Sequence, residues 1–166
     1  MTTQRILLVV LMTAILGNAV VAGVFLAFSS FVMPALSRVS PENGVSAMQS
    51  INITVIRSLF LKIFFLTTIV SAVLVFTPTV RASGPVSWLS CIAGIVSVAG
   101  SFGVTMWFNV PLNDALAVAA PGTSAAGALW SDYLRDWGAA NLTRTIASGV
   151  ASALFLAAAM LLAAEP

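Results

Sequence analysis

The run ILLVVLMTAILGNAVVAGVFLAF, residues 6–28, contains no charged side chain and no proline. A bilayer hydrocarbon core of about 30 Å is crossed by about 20 apolar residues in a helix. No water reaches the backbone there, so the segment must satisfy its own hydrogen bonds, and helical winding does so. Arg5 before the run, and Val20-Val21-Ala22 within it, imitate a signal peptide with its cleavage site. The apolar run continues unbroken through residues 23–28 and on to Leu36, too long for a cleaved signal. It reads as an uncleaved transmembrane helix.

Three further segments meet the same criterion: residues 55–76, 86–108 and 146–164, the last with its start left open upstream. The expected fold is an all-α membrane protein. One domain, residues 1–166, forms an antiparallel bundle of four transmembrane helices. An even number of spans puts both termini on one side. Residues 77–85, rich in Pro and Gly, read as a plain turn on that side. Residues 34–54 and 109–144 form two longer links on the opposite face. A functional site is expected at this long-loop end, where loops and helix ends carry most of the polar side chains. The orientation stays open. A raw count of basic residues favours long loops inside, whereas Arg5 on a short tail favours cytoplasmic termini.

Composition agrees with lipid as the solvent. Of 166 residues, 60% are hydrophobic and 7% charged, with a mean hydropathy of +1.06. Twelve charged side chains could not cover the core of a soluble domain this size. Soluble enzymes and disordered chains are excluded. The seven basic residues are scattered, so no nucleic-acid patch exists. The lone cysteine, Cys91, lies in an apolar run and reads as a small hydrophobe. Histidine is absent, which removes imidazole-ligated haem, zinc and di-iron sites and histidine-based triads. Glu42, Asp114, Asp132, Asp136 and Glu165 follow no metal-ligand pattern. The expectation is no metal and no cofactor.

Polar side chains in a bilayer must face another helix or a cavity, so their spacing is informative. Asn18, Ala22, Phe25 and Ser29 share one face of the first helix. Asn18 is read as an interhelical tie or as a pocket floor. Ser97, Ser101, Thr105 and Asn109 recur every four residues on the third, where the serines read as close-packing positions. Pro111 lacks an N–H and disfavours α geometry at Val110, so the third span is expected to break there and a short helix to begin. Asn109, Asn113 and Asp114 read either as caps of that turn or as substrate-facing groups.

The strongest pattern precedes the fourth span. Trp130, Tyr133, Trp137, Asn141, Arg144 and Ser148 lie on one helical face, with Asp132, Arg135 and Asp136 on the other. Residues 129–162 read as one long helix that starts above the membrane. An interfacial aromatic belt would explain either tryptophan but not the continuation through Asn141 and Arg144. Gln49 and Asn52 are helical neighbours before the second span, and Arg57 and Lys62 read as snorkelling to the interface.

These motifs resemble the anthrone oxygenase-like family of small integral membrane proteins. The resemblance lies in the run from Gly23 through Phe28, Ser29 and Pro34 to Leu36, and in Ala47-Met48-Gln49-Ser50-Ile51-Asn52. It continues in Val104-Thr105 with Asn109-Val110-Pro111-Leu112-Asn113-Asp114, and in Trp130, Tyr133, Trp137, Asn141 and Arg144. It implies oxidation of an anthrone to an anthraquinone without metal or flavin, although the family includes members of no known activity. It also implies an integral, multi-pass protein of a bacterial cell membrane. Many members have a histidine directly after the last asparagine, where this chain has Leu142. A role given to that imidazole cannot operate here.

Two readings of function follow. The first is a cofactor-independent membrane oxygenase acting on an anthrone-like or other activated phenol. Arg144, Asn141 and Asn109 would stabilise an enolate, by the logic of an oxyanion hole. Asp114 or the substrate's own ionisation would supply the base. Phe28, Trp130, Tyr133 and Trp137 would offer flat surfaces, and Ser29, Asn52 and Asn113 hydrogen bonds. The partner would be a small hydrophobic aromatic molecule or a lipid, and a homo-oligomer is compatible with the sequence. The second reading is a non-catalytic membrane protein that binds a lipid or quinone, or a partner subunit of a membrane complex. Under either, purified protein should hold no stoichiometric iron, copper or zinc. About one metal per chain in elemental analysis, lost when carboxylates are mutated, would overturn that expectation.

Overall fold

The computed structural model describes residues 3–76 and 84–164. They form five helices and, among the described residues, no strand. These are α1 (Thr3–Leu36), α2 (Pro41–Val55), α3 (Leu59–Phe76), α4 (Pro85–Ala117) and α5 (Ser124–Ala164). All but α2 are long and apolar enough to cross a membrane. The expected turn at residues 77–85 falls mostly outside the described residues. Its end, Gly84-Pro85, leads into α4 with proline in the first turn, where a missing N–H costs nothing.

α5 is the central element. It packs antiparallel to α1, with Gln4 Nε2 donating to the Leu162 carbonyl (3.0 Å) near one end and Asn141 Nδ2 to the Phe25 carbonyl (2.8 Å) toward the other. Between them Ser152 Oγ donates to Ile15 O at 3.1 Å. Along α4 the register is Ser101–Ser148, Thr105–Arg144, Asn109–Trp137 and Asn113–Tyr133. Three members of the stripe read from the sequence, Ser101, Thr105 and Asn109, thus form the seam between α4 and α5, while Ser97 turns to α1.

α3 packs against α1 and α4. Gly17 admits it closely, since a Cβ there would collide with Thr67, and one on Gly94 would lie 2.6 Å from the Ser71 carbonyl. Asn18 ties the three helices together. Its Nδ2 donates to Ser71 Oγ at 3.3 Å, and its Oδ1 accepts from Ser97 Oγ at 2.8 Å. The polar atoms answer each other, and small residues such as Ala14, Ala93, Ala151 and Ala158 fill the apolar core around them.

Two rulers place the membrane. α3, with 18 residues, is about 27 Å long at 1.5 Å per residue. Trp88 and Trp107, the outward tryptophans of α4, are 65% and 75% exposed and lie about 28 Å apart along the helix. Both lengths match the hydrocarbon core and its aromatic belts. α5, with 41 residues, runs to about 60 Å, so its first turns stand outside the hydrocarbon.

α2 roofs this protruding end. Ser40 caps it, its Oγ accepting from Asn43 N at 3.4 Å, with Pro41 in the first turn. Val45 and Met48 pack with Met33, Leu116 and Trp130. Gly44 meets the Trp130 ring so closely that a Cβ would lie 2.7 Å from it. Gln49 Nε2 donates to the carbonyls of Leu116 and Ala119 at 2.9 and 3.0 Å, satisfying the end of α4.

The break expected at Pro111 does not occur. α4 stays helical through Asn109 (φ −72°, ψ −39°) and Val110 (φ −63°, ψ −50°). The winding changes instead: Val98–Gly103 and Thr105–Asn109 are π-helical, and α winding resumes at Val110 with Pro111 in its first turn. α1 does the same over Phe28–Val32, just before Pro34. A proline ring meets the carbonyl four residues back, and wider winding there gives it room without interrupting the helix.

Asn18→Leu should lower unfolding stability in detergent by about 1–2 kcal/mol, because Ser71 and Ser97 lose their partner. Single-cysteine labelling in a Cys91→Ser background should place Glu42 and Ala120 on one side of the membrane and Gly84 on the other. Labelling of all three from the same side would sink this topology.

Candidate functional site

The face of α5 predicted from spacing is buried along its whole length: Trp130, Tyr133, Trp137, Asn141, Arg144 and Ser148 are each at most 5% exposed. The opposite face carries Asp132, Arg135 and Asp136 in water, paired at 3.1 and 2.7 Å. The depth of Arg144 follows from its bond to Thr105, two residues inside the interfacial Trp107. The guanidinium therefore sits just within the hydrocarbon boundary, where an unpartnered cation is costly.

Its partners are neutral. Arg144 Nη2 donates to Asn141 Oδ1 at 2.7 Å, and Nη1 to Thr105 Oγ1 at 3.1 Å. Both acceptors are fixed from behind. The Asn141 amide nitrogen donates to Phe25 O and to Ser29 Oγ at 2.7 Å, so its carbonyl must face Arg144. Thr105 Oγ1 spends its proton on the Ser101 carbonyl at 2.8 Å, which leaves a lone pair for the arginine. The guanidinium carbon lies 4.1 Å above the Phe25 ring centroid and 5.2 Å from that of Trp137, a cation–π arrangement on two sides. Among the described residues no carboxylate pairs with it.

Three buried side-chain atoms of the described residues have no hydrogen-bond partner: Arg144 Nε, Trp137 Nε1 and Asn109 Oδ1. They belong to one cluster, because Trp137 is a ring contact of Arg144 and Asn109 Nδ2 donates to the Trp137 carbonyl at 3.3 Å. An unmet buried donor or acceptor costs about 1–3 kcal/mol, so such groups are few and normally explained by a role. Two N–H donors and one acceptor thus lie unpaired around a single buried cation. The π-helical turns of α1 and α4 lie at this same level, and wider turns of this kind are frequent at functional sites.

The structure brings together Arg144, Asn141, Asn109, Ser29, Trp137 and Phe28, whose ring is 5.8 Å from that of Trp137. A second polar group stands above them. Tyr133 Oη donates to Asn113 Oδ1 at 2.7 Å and also meets the Asn52 side chain. Trp130 lies beyond, under α2. Asp114 is not part of either group: it is exposed and makes no hydrogen bond or ion pair, one helical step past Asn113 on the outer side of α4. The aromatic faces are also not free as expected. Trp130 and Tyr133 stack at 5.6 Å and 15°, Tyr133 and Trp137 at 5.8 Å and 18°, so the rings cover one another. Thr105 and Phe25, both on the stripes read from the sequence, belong to the Arg144 cluster although residue type alone did not single them out. Among the described residues no group of three His, Cys, Asp or Glu could hold a metal ion.

No curated protein and no solved structure matches the chain. The family model described as anthrone oxygenase matches residues 54–163, which take in α3, α4 and almost all of α5 but stop short of Phe28, Ser29 and Asn52. Arg144, Asn141, Trp137, Asn109 and Thr105 lie inside the matched segment, which covers well over half of the chain, and the chain belongs to the anthrone oxygenase family.

Proposed function

We propose that the protein is a membrane oxygenase that converts an anthrone-like, ionisable aromatic to its quinone with dioxygen as the only co-reactant. The observation that carries this reading is the pair of unpaired donors, Arg144 Nε and Trp137 Nε1, at a buried cation with no carboxylate. A carboxylate partner would neutralise the guanidinium. Its absence leaves a positive site whose natural complement is the oxygen of an enolate or phenolate.

The chemistry asks little else of the protein. Loss of one methylene proton turns an anthrone into an enolate with electron density on the ring carbon. That carbon passes an electron to dioxygen, and the radical pair joins through a new C–O bond to give a hydroperoxide. Breaking the O–O bond, with loss of the second hydrogen, leaves a ketone and water. The methylene carbon is oxidised by four electrons, and dioxygen contributes one oxygen atom to the quinone and one to water. Arg144 and Trp137 would hold the enolate oxygen, and Asn109 Oδ1 would accept from a hydroxyl of the guest. Since Asp114 is exposed, the acidity comes from the substrate itself, raised by the Arg144 charge; water takes the methylene proton, and the peroxide oxygen takes one back to leave as water.

The competing reading, a non-catalytic lipid or quinone binder or a partner subunit, draws on the closed ring stack of Trp130, Tyr133 and Trp137. Two variants separate the readings in proteoliposomes supplied with anthrone, with oxygen uptake and quinone absorbance as readouts. Arg144→Leu should lose about 100-fold or more in turnover, the scale of a lost oxyanion donor. Full turnover in that variant would refute the proposal. Trp137→Phe removes the unpaired N–H but keeps an aromatic ring on Tyr133. Its stability should change little, since lost packing and relief of a buried unmet donor oppose each other, while turnover falls about tenfold or more. A variant that loses stability and keeps turnover would favour the non-catalytic reading.

A further inference from the structure

Arg144 rests on Phe25, and Phe25 is the inner end of a chain of rings. It meets Phe60 and Phe64 edge-on at 5.8 and 6.0 Å. Phe64 in turn meets Phe102 at 6.1 Å and Phe65 at 6.0 Å. Exposure grows outward along the chain. Phe25 and Phe64 are buried, Phe60 and Phe102 half-buried, and Phe65 is 47% exposed on the lipid side. A path of aromatic surface thus joins the hydrocarbon to the buried cation.

The way α3 is held matters here. Its hydrogen bond and close approaches to neighbours fall at Thr67 and Ser71, in the part nearer the chain termini. Before Thr67, among the described residues, no side-chain hydrogen bond joins α3 to α1, α4 or α5. The side-chain bonds of this stretch are local: Ser58, just before α3, donates to the Val55 carbonyl at the end of α2 and accepts from Leu61 N, and Thr68 donates to Phe64 O. Apolar packing of Phe60, Leu61 and Phe64 with Val21, Phe25 and Phe102 seats these first turns, and its ring contacts are individually weak and replaceable by another ring. The same turns lie next to the interface, at the depth of Arg144.

We propose that Phe25, Phe60, Phe64 and Phe102 form a membrane-side entry site for a planar aromatic molecule dissolved in the bilayer. The guest exchanges its rings for theirs and passes between α1 and the first turns of α3 to Arg144. The identity of the guest rests on the oxygenase reading above. α2, pinned by Gln49 and by Gly44 on Trp130, covers the aqueous end of this region, and entry between α1 and α3 does not require it to move.

An entry residue changes the rates of arrival and departure by the same factor and leaves affinity alone, whereas a site residue changes affinity. The protein in phosphatidylcholine nanodiscs is mixed with 1,8-dihydroxyanthraquinone, and tryptophan quenching is followed in time. Phe60→Ala should speed arrival and release together. Phe60→Cys in a Cys91→Ser background, alkylated with N-benzylmaleimide, should slow both by about tenfold at unchanged Kd, and the unalkylated variant controls for folding. Rates unaffected by alkylation, or a change confined to Kd, would overturn the entry site. Arg144→Leu serves as the separate arm. Unchanged Kd there counts against the oxygenase reading while the Phe60 rates still report on entry. Absence of any quenching in the wild type would overturn both.

Discussion

A guanidinium buried at the membrane boundary without a counter-ion is the constraint from which the rest of this structure follows. An unpartnered arginine costs about 2.5–3.5 kcal/mol at the bilayer centre and less toward the boundary where Arg144 sits. The fold offsets this with neutral groups only: one amide carbonyl, one hydroxyl and two aromatic faces. Each acceptor is held by a further bond to another helix or turn. Asn141 binds α1 through Phe25 and Ser29, and Thr105 binds back along α4. α1, α4 and α5 therefore meet at one side chain. Neutral partners anchor the terminal nitrogens but leave the charge in place, so a site built this way retains an appetite for an anion.

The winding of the two flanking helices serves the same end. Asn109 and Thr105 belong to the π-helical stretch before Pro111, and Ser29 to the one before Pro34. In regular α winding a residue inserted into such a turn would rotate every later side chain by about 100°. The wider turns thus set the angle at which α4 presents Thr105 and Asn109, and α1 presents Ser29, to one side of α5. The prolines are the feature in the sequence that marks these places, but proline chemistry alone does not distinguish a break from a wider turn. That is why a break was expected at Pro111 and a continuous helix is found. The difference is decided by α5, whose packing along α4 from Ser101 to Asn113 rewards an unbroken seam.

Much of the architecture was legible because lipid imposes simple rules. Apolar runs of membrane length marked the spans, and the spacing from Trp130 to Ser148 located the long helix and its buried face. Asn18 was recognised as needing a partner, though its two serines lay far away in sequence. What stayed hidden depends on pairwise geometry. Spacing put Asn113 and Asp114 side by side, but only the rotation of α4 decides that Asn113 meets Tyr133 while Asp114 meets water. Spacing also put three rings on one face without revealing that they stack on one another. α2 was unreadable as a roof because its docking uses Gly44 and Gln49, whose value comes from what they touch.

The departure at Leu142 can be weighed on the same geometric footing. Many members of the family resembled carry a histidine where this chain has Leu142. Leu142 follows Asn141 by one residue and precedes Arg144 by two, so it points about 100° from the first and about 160° from the second around α5. It is 50% exposed, on a surface that Asn141 and Arg144 do not reach. A side chain there cannot reach Arg144 Nε and Trp137 Nε1 without unwinding the helix that positions both. An imidazole at position 142 would lie on the outer face of α5, away from both of these nitrogens. The leucine therefore removes nothing from the Arg144 cluster, whose polar atoms all come from residues that this chain retains.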